Sequence, residues 1–238
     1  MTSAEHLYSR YSSTLAKCDL FSYLRKEEWL ELLVHFHEER WKKKTCIINP
    51  QKFLFHFYII SSGRLKMYHI DELSSKEHTL FLLKEGDVFD LFCLLDGAKH
   101  TAYYECLDTI KVLAIPMDQL RNWLNLNPVC YKHFLSFSAK IMRFLEANVS
   151  QLIFANISTR LLKLLLDNID KKSNKLELIN DLPNKELAYL IGSTRAVVNR
   201  HLQKFKKNGS ITLQRNQLAI KDASLLLEEL NRQIKNKN

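Results

Sequence analysis

The stretch Leu187-Ala188-Tyr189-Leu190-Ile191-Gly192-Ser193-Thr194-Arg195-Ala196-Val197-Val198-Asn199-Arg200-His201-Leu202 reads as a helix, a tight turn and a second helix. Leu187, Leu190 and Ile191 follow i, i+3, i+4 spacing, one stripe of a helix. Gly192 stops that stripe where a helix C-cap falls, because glycine takes the left-handed backbone conformation without a Cβ clash. Ser193 or Thr194 is placed to cap the helix that follows. Val197, Val198 and Leu202 give the second helix an apolar face, and Arg195, Asn199 and Arg200 point away from it. A helix that buries one side and shows Arg and Asn on the other has the build of a DNA recognition helix. The competing reading is an ordinary helical hairpin with a solvated basic face.

Charge supports the first reading. The chain carries 35 Lys+Arg and 26 Asp+Glu in 238 residues, a net charge of +9. From Pro183 onward there are 11 basic and 4 acidic residues, so the last segment holds +7 of the excess and the first 182 residues only +2. A basic module at one end of a near-neutral chain is what contact with phosphates requires, although a basic tail also aids solubility.

Composition excludes several other classes. Apolar residues make up 46% of the chain, as in a folded globular protein. No run approaches the ~20 apolar residues that span a bilayer. The start Met1-Thr2-Ser3-Ala4-Glu5-His6 lacks a basic head and apolar core, so neither signal peptide nor membrane partner is expected and a cytoplasmic location is the default. The five cysteines, Cys18, Cys46, Cys93, Cys106 and Cys130, are scattered, with no C-x-x-C and no zinc spacing. Most read as buried free thiols, and no metal site is expected.

Working backward from the basic end, three regions appear. Residues 5–36 read as helical, with Leu20, Phe21, Leu24, Trp29, Leu32, Leu33 and Phe36 at helical spacings. From about Arg40 to Pro116 the pattern becomes short alternating runs: Leu54–Ser61, Leu65–Ile70, His78–Leu83, Thr101–Cys106 and Thr109–Ile115, separated by turns. Many short strands at near-regular spacing predict a sandwich or barrel-like roll. One helical turn fits within Asp90–Leu95, and Met117–Leu126 fits a short amphipathic helix. A long helix is expected from Asn127-Pro128, with Asn127 as its N-cap. Along it Phe134, Ser138, Ile141, Leu145, Asn148, Leu152 and Ala155 are spaced 4, 3, 4, 3, 4, 3, an a/d heptad seam that predicts a homodimer interface. A second apolar face through Phe137, Phe144 and Ile153 would pack on the roll; the alternative is a single helix buried within a monomer.

A further helix is expected over Arg160–Ile169 and a polar loop over Asp170–Asn174. After Asn208-Gly209, Ile211–Leu213 and Leu218–Ile220 form a hairpin, a wing with Arg215 at its tip, and Asp222–Ile234 a last amphipathic helix. The fold class is therefore α+β: an N-terminal antiparallel β-roll of jelly-roll type with flanking helices, a long dimerisation helix, and a C-terminal winged helix-turn-helix. The domains are 1–126 for the roll, 127–155 for the dimer helix and 156–238 for DNA binding.

Helical leader, roll, heptad helix and winged helix-turn-helix, in that order, resemble the CRP/FNR superfamily of bacterial transcription regulators. All five glycines, at positions 63, 86, 97, 192 and 209, fall at that family's turns. Phe154-Ala155-Asn156-Ile157-Ser158-Thr159-Arg160-Leu161 is similar to its junction between dimer helix and DNA-binding domain, and Ile191–Arg200 to its recognition motif. The resemblance implies a homodimer on a palindromic double-stranded DNA operator, with RNA polymerase as a further partner and no catalysis. Arg195 and Arg200 stand where the family's base-reading arginines stand, a role for which the bidentate guanidinium fork suits guanine. The glutamate usual between them is replaced by Ala196, which fits a thymine methyl, and Asn199 can reach adenine. Ser193, Thr194, His201 and Lys204 are the expected phosphate contacts.

The resemblance breaks at the effector site. The family's cyclic-nucleotide cassette uses a Gly-Glu pair for the ribose and an Arg-Ser pair for the phosphate. Here Phe89-Asp90 and His100-Thr101 stand in those places, and Leu145 and Glu146 replace the hydroxyl residues that meet the adenine. Without the arginine a bound phosphate lacks its compensating charge, so control by cyclic AMP is not expected. Phe89, Asp90, His100 and Thr101 remain the candidate pocket for another effector. An iron–sulfur sensor would need clustered N-terminal cysteines, and only Cys18 is there; a haem would need an axial histidine such as His78 or His100. No cofactor is expected. Cys93 and Cys106 are candidate redox thiols. The opposing function is a cupin-like metal enzyme using His56, His69, His78 and His100, which lack the paired spacing that chemistry uses.

Overall fold

A computed structural model describes residues 3–47, 55–170, 173, 175–215 and 217–235. The chain divides into two units: residues 1–69 with 80–143, and residues 70–79 with 144–238. Among the described residues no helix is long and apolar enough to cross a membrane.

The first unit is built on strands that are buried on both faces. In β3 (His56–Ser62), Phe57, Tyr58, Ile59 and Ile60 are all fully enclosed. Because side chains alternate along a strand, Phe57 and Ile59 join one core, under the leader helices Ser3–Lys17 and Lys26–Leu33, whereas Tyr58 and Ile60 join the core inside the roll. Its neighbour β8 (Ile110–Pro116) divides likewise: Leu113 and Ile115 face the leader core, Val112 and Ala114 the roll interior. One antiparallel sheet has the order β1-β8-β3-β6, with β1 at His37–Trp41 and β6 at Val88–Phe89. The other has the order β2-β7-β4-β5, with β2 at Cys46–Ile47, β4 at Leu65–Ile70, β5 at Glu77–Leu83 and β7 at Tyr103–Cys106. The predicted strands are present; β1, β2 and β6 were missed, β1 because His37-Glu38-Glu39-Arg40-Trp41 shows no apolar alternation and β2 and β6 because two residues are too few to show one. Leu54 lies outside the described residues.

The leader is not one helical run. It breaks at a 3-10 turn, Asp19–Phe21, and its residues end where β1 pairs with β8 from His37 to Trp41. The long helix runs Tyr131–Phe154, after a 3-10 turn at Pro128–Cys130. Asn127 does not cap it. Its Nδ2 donates to the Trp123 carbonyl at 3.0 Å, closing the preceding helix Met117–Leu126 instead.

In the second unit, Asn156 caps helix Ile157–Asp167 by accepting from the Thr159 amide at 2.9 Å, so this helix begins three residues before its expected start. Of the expected loop 170–174, residues 171, 172 and 174 lie outside the described residues. Helices Asn184–Leu190 and Arg195–Lys207 follow, then the hairpin of β9 (Ile211–Gln214) and β10 (Gln217–Ile220) and the last helix, Ala223–Lys235.

Candidate nucleic-acid interface

Gly192 has φ +61°, the left-handed value that its place between two helices demands. A Cβ there would also stand 3.0 Å from Leu152 Cδ2 and 3.2 Å from Arg160 Nη1. Thr194 is the N-cap of the next helix: its Oγ1 accepts from the Val197 amide at 3.4 Å. Val198, Leu202 and Phe205 anchor that helix, wholly buried, and Arg195, Ala196, Asn199 and Arg200 are exposed on its outer side. The Ser193 hydroxyl is enclosed and makes no hydrogen bond among the described residues.

The candidate DNA-binding residues fall on two flanks of the helix. Arg195 and Asn199 line a cleft of about 550 Å³ together with Gln203, with Asn184 and Lys185 of the preceding helix, and with Gln214 and Gln217 of the hairpin. Arg195, Asn199 and Gln203 are each four apart, which puts them on one stripe. That spacing is visible in the sequence and would have found Gln203. Asn184 has no such signal, since its Nδ2 donates to Asn199 Oδ1, fifteen residues away, at 3.2 Å.

His201 and Lys204 line the opposite flank with Asn156, Ser158, Arg160 and Gln233, around a second cleft of about 540 Å³. There Lys204 Nζ is 2.9 Å from Glu229 Oε1, and Arg232 Nη1 is 3.1 Å from Glu229 Oε2. Gln233 joins the same group by donating to Glu229 Oε1 and to Ser158 Oγ. The Lys204 ammonium, foremost, and Gln233 hold the Glu229 carboxyl below its ordinary pKa. Burial, aided by the charges of Arg200 and Lys204, lowers that of His201.

The roll interior brings Asp90 and His100 together. Asp90 has φ +70°, costly for a non-glycine residue, and its side chain is fully enclosed. Its Oδ1 lies 3.4 Å from His100 Nδ1 and accepts from Cys93 Sγ at 3.2 Å; its Oδ2 is buried without a partner among the described residues. Tyr104 Oη is 3.3 Å from the same imidazole nitrogen. Phe89 stacks on Tyr58 with centroids 4.8 Å apart, filling the roll beside them, whereas Thr101 is exposed. The Arg121 guanidinium donates to the carbonyls of Cys93 and Leu94. His78 Nδ1, in the second unit, donates to the Tyr189 carbonyl at 2.9 Å.

Two expectations need correction. Cys93 and Cys106 are wholly buried, and desolvation first, then nearby acidic or thiol groups, pushes each thiol up to about 12, so neither supplies a thiolate. Phe134 is wholly buried in the leader core and cannot lie on a dimer seam. The rest of the predicted seam, Ser138, Ile141, Leu145, Asn148 and Leu152, is half-buried within the chain. The exposed apolar stripe is Leu135, Met142, Val149 and Ile153, one residue further round. Among the described residues no group of three or more His, Cys, Asp or Glu is placed to hold a metal ion.

Comparison with known proteins matches both units. The cyclic nucleotide-binding domain model matches residues 38–127, and the Crp-like helix-turn-helix domain model residues 159–229. A CRP-like cAMP-activated global transcriptional regulator of Mycobacterium tuberculosis is 27% identical over 173 residues, covering 71% of this chain and 77% of the relative. A global nitrogen regulator of Nostoc sp. is 24% identical over 189 residues, covering 76% and 84%. A CooA mutant from Carboxydothermus hydrogenoformans superposes with a TM-score of 0.68 at 25% identity, covering 84% of this chain and 90% of that one.

Proposed function

The chain belongs to the CRP/FNR superfamily of transcription regulators, and from that premise we propose that it works in the cytoplasm as a homodimer that reads a palindromic DNA site without cyclic AMP. The observation that carries the reading is the recognition helix: Val198, Leu202 and Phe205 anchor it in the core while Arg195, Ala196, Asn199 and Arg200 are exposed on its outer face. Arg195 and Arg200 read base edges, Ala196 meets a thymine methyl, and Thr194, His201 and Lys204 flank the phosphates, whereas the expected contact through the Ser193 hydroxyl is withdrawn because that hydroxyl is enclosed.

Dimerisation uses the exposed stripe. Leu135, Met142 and Val149 recur every seven residues, with Ala139, Glu146 and Ile153 in the alternate positions. The two recognition helices then address half-sites about one DNA turn (~34 Å) apart. Asp90 and His100 argue against a cyclic nucleotide. An anionic phosphate beside an enclosed carboxyl, with the nearby Arg121 held by backbone carbonyls, lacks the compensation it needs.

Selection of bound DNA from a random pool tests the reading. Enrichment of a two-fold symmetric sequence is expected, and Arg195→Ala is expected to relax one position of each half-site by roughly 1–3 kcal/mol. Failure to enrich any sequence would sink it.

A further inference from the structure

The end of β1 and the turn after it carry Arg40, Lys42, Lys43 and Lys44, all exposed, and between them the Trp41 side chain is buried in the roll. In the β1–β8 register Arg40 stands directly opposite Lys111, so these two cations share one face of the sheet. Like charges so opposed destabilise a strand pair. None of the five forms an ion pair among the described residues, and acids of the neighbouring strands are taken: Asp108 by Arg64, Glu105 by Lys66 and Glu38 by Arg10. The turn is tied to β7. The Lys44 amide donates to the Cys106 carbonyl at 2.7 Å, and the Cys106 amide to the Thr45 carbonyl at 3.0 Å. Lys44 has φ +65°, a conformation that favours glycine. The opposed pair and this left-handed lysine both hold charge at the surface against local stability.

The make-up of the cluster selects its partner. Interfaces between proteins are depleted in lysine and centred on apolar or aromatic anchors. Among residues 40–44 and 111 no apolar side chain is exposed. Lysine and arginine alone suit a phosphate backbone, which they bind by neutralising charge and releasing counterions whatever the base sequence. We infer that Arg40, Lys42, Lys43, Lys44 and Lys111 form a second DNA contact, independent of sequence, which takes phosphates of the duplex flanking the operator. The inference rests on the DNA-binding reading above and extends it to the first unit.

The duplex continues past both half-sites, so DNA length isolates this contact. The full-length protein is titrated with two duplexes that share the selected operator, one of about 22 base pairs, enough for two half-sites a turn apart, and one of about 60 with arbitrary flanks. The wild type is expected to bind the longer duplex roughly tenfold more tightly at low salt, with a steeper fall of log affinity against log salt. The triple variant Lys42→Gln, Lys43→Gln, Lys44→Gln is expected to match the wild type on the short duplex and to lose the gain from length. Its salt slope on the longer duplex should be shallower by up to about 5, at about 0.9 for each of three lysines in both copies of a dimer. Arg40→Gln should lessen the gain without lowering the thermal midpoint, because it also relieves the repulsion from Lys111. Equal wild-type affinity for both lengths, a gain that the triple variant keeps, or an equal loss on both duplexes in both variants overturns the inference while leaving the recognition helix its role. A triple variant that keeps the gain but no longer associates with an acidic protein assigns the cluster to that partner and overturns the inference too. Absence of sequence-specific binding to the short duplex overturns the DNA-binding reading and the inference with it.

Discussion

The ring of Phe134 meets that of Phe21 edge to face, with centroids 5.5 Å apart, inside the leader core. The first residue of the apparent heptad seam is thus an internal residue, and the effects of two substitutions should separate accordingly. Phe134→Ala is expected to cost about 3–5 kcal/mol in denaturant unfolding. Met142→Asp, on the exposed stripe, is expected to leave the unfolding of the monomer within about 0.5 kcal/mol. It should weaken the dimer at least tenfold in sedimentation equilibrium, since each copy would place an unpaired charge in the seam (roughly 1.4 kcal/mol per factor of ten).

Of the cysteines, Cys46 is exposed and Cys18, Cys93, Cys106 and Cys130 are buried. Burial pushes Cys18, like Cys93 and Cys106, up to about 12. A thiol-labelling reagent at pH 8 is therefore expected to modify one thiol rapidly in the folded protein and all of them in denaturant. Rapid labelling of Cys93 in the folded state would reopen redox control.

Calorimetry with cyclic AMP is expected to show no binding in the micromolar range, because His100, 3.4 Å from the enclosed Asp90 carboxyl, stands in place of the arginine that would neutralise the phosphate. The DNA selection should return the same site with and without the nucleotide. A micromolar affinity would refute the assignment of Asp90 and His100 as a cyclic-nucleotide block.

Glu229 ties the last helix to the recognition helix through Lys204, and its pKa is lowered by that bond foremost and by Gln233. A carboxyl depressed in the folded state stabilises above its ordinary value of about 4.3 and loses that contribution as the pH falls through the lowered value. The winged unit should accordingly lose stability below about pH 4, and Glu229→Gln should lessen the slope in acid unfolding followed by circular dichroism. Lys204 is well exposed, so solvent screening keeps its own share small.

The helix-turn-helix, the order of the elements and most strands follow from periodicity and turn chemistry, which act over a few residues. Gly192, Thr194, Val198 and Leu202 each do in the structure what their type and spacing suggest. The basic excess after Pro183 is legible as well, because charge is a property of composition. Three things depend on tertiary packing. Which stripe of helix Tyr131–Phe154 is exposed depends on what covers the other faces, and residues 134 and 135 differ by only about 100° around a helix. Whether Cys93 and Cys106 ionise depends on enclosure by strands far away in sequence. The partner of the Asn199 amide is Asn184, which only the crossing of two helices brings within 3.2 Å. Local patterns set the elements, whereas exposure, ionisation and the direction of a hydrogen bond belong to neighbours that no local pattern names.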